Sequence, residues 1–60
     1  MKREVVILSA YRESVLSATE KGLKGPVASS VALKSAAAVA GRLLKQPVTI
    51  DDVRRVLEAS

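Results

Sequence analysis

With 60 residues, no Cys and no His, this chain has room for one domain and lacks the usual staples of a small one, because neither a disulfide nor a Cys/His metal site can form. Ten basic residues against six acidic ones give a formal charge of +4 and a pI near 10.0, which favours a polyanionic partner such as nucleic acid or an anionic surface. A Ser-His-Asp or Cys-His triad is excluded by composition, and Tyr11, the single aromatic residue, is too little for a platform that stacks single-stranded bases.

Residues 4–21 read as a first helix, because Leu8, Tyr11, Val15 and Ala18 fall at three-and-four spacing with Val5 and Leu16 on the flanks. The run Val5-Val6-Ile7-Leu8 is rich in β-branched residues, so a short strand at 4–9 is the alternative, and it would allow an intermolecular β-ribbon. The segment Lys21-Gly22-Leu23-Lys24-Gly25-Pro26 carries a stop and a start. Gly22 suits the left-handed residue that closes a helix, and Pro26 suits a first helical turn, where a missing N–H costs nothing. Lys21 and Lys24 lie beside a helix N-terminus, whose unpaired N–H groups attract phosphate; the plainer reading leaves them solvated.

A second helix is expected over 27–45. Its apolar stripe runs through Leu33, Ala36, Ala37, Ala40, Leu43 and Leu44, with Val31 and Val39 on one flank. The Ala36-Ala37-Ala38 run and Gly41 keep side chains short, which suits close approach of another helix across a dimer interface. Lys34, Arg42 and Lys45 fall within roughly 80° of one another at 3.6 residues per turn, giving a basic stripe. No uncharged run approaches the ~20 residues of a membrane span. Met1-Lys2-Arg3 is followed by Glu4 and an apolar run too short for a signal-peptide core.

A third helix is expected over 50–59. Thr49 is placed to cap it, and Asp51 and Asp52 fall in its first turn, where the helix dipole favours negative charge. Val53, Val56 and Leu57 then face inward, and Arg54 and Arg55 outward. Ten residues are too few to hold a helix alone, so this one must dock. Both acids have this structural role, and no third group is present to tune them as a catalytic pair.

The string AAAVAGRLLKQPVTIDDVRRVLEAS, from Ala36 to the end, resembles the C-terminal half of the histone fold. It is also similar to the end of the small helical lid of many AAA+ ATPases. The histone resemblance implies that Lys45 stands where the family has Arg, that Val48 lies in the short loop bridge, and that Asp52 pairs with the residue at 45. It further implies dimerisation and sequence-tolerant contact with duplex DNA.

The sequence therefore predicts one all-α domain over 1–60, three helices with short loops, histone-like or a small bundle. Its expected function is non-enzymatic: a homodimer that binds double-stranded DNA through charge at Lys21, Lys24, Lys34, Arg42 and Lys45, with Leu33, Ala36, Ala37, Ala40, Leu43 and Leu44 at the interface. The alternative is a small structural subunit that stabilises a larger enzyme or ribonucleoprotein through its apolar helix faces. No cofactor, metal or membrane association is expected, and the cytoplasm is the expected location. Met1 at the start and a charged final helix lead us to expect that the 60 residues are the working chain. The absence of Asn, with one Gln, one Met and no Cys, points to a thermophilic source.

Overall fold

A computed structural model describes residues 2–60. It contains three helices, α1 (Arg3–Glu20), α2 (Gly25–Leu44) and α3 (Ile50–Ala59), each within two residues of its expected bounds. The described residues contain no strand. Val5 to Leu8 lies inside α1, which overturns the alternative of a strand at 4–9. Burial gives the physical reason: Val6 and Ile7 are neighbours in sequence and both are buried, whereas successive residues of a strand point to opposite faces.

Helices α1 and α2 form an antiparallel hairpin across a four-residue connection, and α3 folds back against them. At ~1.5 Å per residue the 20 residues of α2 span ~30 Å, which sets the 31 Å long axis of the molecule. The core is built mainly from alanine. Ala10 and Ala18 of α1 and Ala32, Ala36, Ala37 and Ala40 of α2 are buried, together with Val6, Ile7 and Val53. On α2, residues 32, 36 and 40 form one row at spacing four, and α1 answers with residues 10, 14 and 18. Short side chains in facing rows let the two helices approach at the low end of the ~8–10 Å range of helix packing.

This corrects the expected inward face of α1 except at Ala18, which is buried as expected. The large residues Leu8, Tyr11 and Val15 are only half-buried, and Val5 and Leu16 are exposed. The buried stripe is instead Val6, Ile7, Ala10, Ser14 and Ala18. Val6 and Ile7 fill the end of the core shared with Val53, while toward the connection the buried positions of α1 are the small residues Ala10, Ser14 and Ala18. Ser14 enters the alanine row on size. Its hydroxyl donates to the Ala10 carbonyl at 2.8 Å, so the one buried polar side chain is satisfied within its own helix.

The helix ends follow from local chemistry. Gly22 has φ +86; its N–H donates to the Thr19 carbonyl at 2.9 Å and the Leu23 N–H donates to the Ala18 carbonyl at 3.1 Å, which is a Schellman closure. At the end of α2 the left-handed position is held by Lys45, with φ 55 and ψ 40. The carbonyl of Gly41 accepts from Lys45 and from Gln46 at 3.2 Å, and Pro47 then prevents continuation. Gly41 is itself required small, because a Cβ there would lie 3.2 Å from the Gln46 carbonyl oxygen.

Helix α3 opens with a reciprocal capping box. The Asp52 N–H donates to the Thr49 hydroxyl at 3.1 Å, and the Thr49 N–H donates to the Asp52 carboxylate at 2.9 Å. The same carboxylate meets Arg3 of α1 at 3.4 Å, so the first turns of α1 and α3 are joined. Val53, one position on, is fully buried, and Val56 and Leu57 pack beside it.

Candidate nucleic-acid interface

The charge of this chain is segregated by element. Lys21, Lys24, Lys34, Arg42 and Lys45 occupy α2 and its two flanking loops, and no Asp or Glu occurs anywhere between Glu20 and Asp51. The other five basic residues share α1, α3 and the termini with all six acids. The excess positive charge is therefore that of one helix and its ends. All five of these side chains are exposed, and none forms an ion pair among the described residues. Arg3 and Arg54 are engaged instead, with Asp52 at 3.4 Å and Asp51 at 3.5 Å.

The fold spreads the five expected binding residues along the molecule. Lys21 and Lys24 stand at the hairpin end, Lys34 near the middle of the outward face of α2, and Arg42 and Lys45 at its C-terminal end. Lys24 to Lys34 spans ~15 Å of helix rise and Lys34 to Arg42 ~12 Å. Lys45 leaves the helical path through its left-handed backbone, so it turns away from the stripe expected from a continuous helix to residue 45.

The N-terminus of α2 strengthens the positive field. Lys24 precedes it in an extended conformation, φ −139 and ψ 155, with no side-chain cap, and the first turn carries no acidic residue. Its unpaired N–H groups and the positive end of the helix dipole thus act beside Lys24 and Lys21. By contrast the N-terminus of α3 is already satisfied: the bonds from Thr49 hold the Asp52 carboxyl below its usual 3.8, with Arg3 and Arg55 contributing.

The six expected interface residues have separate fates. Ala36, Ala37 and Ala40 are buried within the chain against α1; the close-approach surface read from their small size is used by the hairpin itself. Leu33 and Leu44 are half-buried beside the core. Leu43 alone is largely open, at 68%, and it lines a groove of ≈ 430 Å³ between α1 and α2 with Val31, Val39, Glu13, Ser17 and Lys21. At the end of α1 beside this groove, the Lys21 N–H donates to the Ser17 carbonyl at 3.2 Å. The pair of residues 45 and 52 implied by the histone resemblance is not among the ion pairs of the described residues, where Asp52 faces Arg3.

The acid-free stretch from Lys21 to Ile50 is the sequence signal that marks this surface. Comparison with protein-family models, with curated proteins and with solved structures finds no match to this chain.

Proposed function

We propose that this chain is a non-enzymatic, DNA-associated helical protein that acts as a homodimer and holds duplex DNA by charge along α2. One observation carries the reading: five unpaired cations and no acid lie on α2 and its loops, while the rest of the chain sets five basic residues against six acidic ones. Such a surface attracts phosphates at any sequence, releases counterions on contact and loses affinity steeply with salt. Exposed Val27 and Val31 on the same helix can contact sugar or base edges but carry no hydrogen-bonding code, so discrimination between sequences is weak.

Helix α2 is also long and apolar enough to cross a bilayer, with a mean hydropathy of 1.3 over its best window. Lys34 near its centre opposes that use, since a cation at the bilayer midplane costs about 3 kcal/mol on insertion scales. The apolar character comes from the valines and leucines of α2 together with its alanines, of which Ala32, Ala36, Ala37 and Ala40 are buried in the hairpin. We therefore read α2 as a packed helix with a basic outer face.

An electrophoretic mobility shift with duplex DNA at low salt tests this function, and a shift for unrelated sequences is the expected result. Absence of any shift at low salt overturns it. The second reading, a structural subunit of a larger assembly, draws on the exposed Val5, Leu16, Val27, Val31 and Leu43. Light scattering separates the two: a discrete dimer supports the first reading, and a chain that aggregates until a partner is added supports the second.

A further inference from the structure

We propose that two copies of this chain associate through the outer face of α1, antiparallel, with Leu16 at the two-fold axis and Arg12 of each copy paired with Glu20 of the other. This deepens the homodimer part of the reading above and is independent of whether DNA is bound.

Three observations lead to this contact. The first is apolar surface: Tyr11, Val15, Leu16 and the stem of Arg12 line a shallow, nearly wholly apolar depression, with Leu16 60% exposed at its edge. Helix α3 meets the first half of α1, at Arg3 and beside Glu4 and Leu8, and among the described residues Arg12, Leu16 and Glu20 are left exposed.

The second is charge symmetry. Arg12, Leu16 and Glu20 form one row at spacing four, with an apolar residue in the middle and opposite charges at equal distances on either side. A two-fold contact requires a surface complementary to itself, and an antiparallel crossing at Leu16 places each Arg12 against a Glu20. Within one chain they are eight residues apart, ~12 Å along the helix, too far to pair, and neither is in an ion pair among the described residues.

The third is Glu20 itself. It occupies the last turn of α1, which has no basic residue, so its charge sits at the negative end of the helix dipole, where the neighbouring C-cap Lys21 forms no ion pair with it. A cation brought by a second copy supplies a partner. The contact also leaves α2 facing away on each copy, so the two basic helices stay free for a shared polyanion.

Sedimentation equilibrium of the full chain, without nucleic acid, tests the proposal. The expected result is a dimer that Leu16→Asp reduces to monomer, with helical circular dichroism unchanged because the position is exposed. Arg12→Glu and Glu20→Arg each weaken the dimer about tenfold, the effect of two exposed ion pairs turned to repulsion. The double variant R12E/E20R restores it, because the same pairs re-form with reversed polarity. That rescue separates an intermolecular pair from a general effect of surface charge. A wild-type monomer at high micromolar concentration overturns this contact and the homodimer reading together. A wild-type dimer that survives L16D, or a double variant no tighter than the singles, overturns this contact alone and moves the interface to the opposite groove beside Leu43.

Discussion

Replacing Ala36 by leucine tests the alanine hairpin most severely. Ala36 is fully buried at the middle of the α2 row, facing α1, and leucine adds three carbons where the helices are closest. In a well-packed core such an insertion costs ~1–3 kcal/mol, and the inflexible neighbours here place the cost at the upper end. A 60-residue domain has ~3–9 kcal/mol of stability at ~0.05–0.15 per residue. The variant therefore loses about a third or more, and at ~4–8 °C per kcal/mol its midpoint falls by more than ~10 °C. Thermal circular dichroism of A36L beside A38L is the assay. Ala38 is two residues away and exposed, so leucine there leaves the midpoint within a few degrees. Equal midpoints for the two variants refute the close-packed row.

Val53→Ala removes the only fully buried side chain of α3 and lowers stability by about 2 kcal/mol, from two lost methylenes at ~0.8 each plus a small cavity, measured by urea unfolding. Lys45→Gly relieves the left-handed strain at φ 55 and raises stability by up to about 1 kcal/mol after the added freedom of glycine in the unfolded chain, while the loss of its cation weakens DNA binding; the two assays thus move in opposite directions. The Asp52 carboxyl is held below 3.8 by Thr49 and, less strongly, by Arg3. Its contribution to stability is present above the unfolded value and is lost as pH falls through the folded one, so the midpoint of the wild type drops more steeply below about pH 4 than that of Asp52→Asn.

Helix number, order and bounds were legible because punctuation in this chain is strong: Gly22, Pro26, Pro47 and the Thr49/Asp52 box each act within a few residues. The face of α1 was not. Ala18 was read correctly, but Leu8, Tyr11 and Val15 carry more hydrophobicity than Ala10 and Ser14, and only the need for two helices to meet across a four-residue connection reverses their rank. For the same reason the small residues of α2 pointed correctly to a close helix contact but not to which helix. Ala36 and Ala40 record the height of the surface, and that height is the same for a partner in the same chain or another. In the binding region, the five basic residues could be named singly, but that Asp52 turns to Arg3 depends on the packing of α3 against α1, while Asp51 is taken up within α3 by Arg54.

The salt dependence of duplex DNA affinity, measured by fluorescence anisotropy for the wild type and for Lys34→Gln/Arg42→Gln, addresses the central claim most directly. If the five cations of α2 and its loops meet phosphates, log K falls against log salt with a slope of about −4 to −5 per protomer, and the double variant lowers that slope by about 2, similarly for unrelated sequences. A slope near zero, or one unchanged by removing Lys34 and Arg42 while Lys2→Gln/Arg55→Gln reduces it, contradicts the assignment of binding to α2.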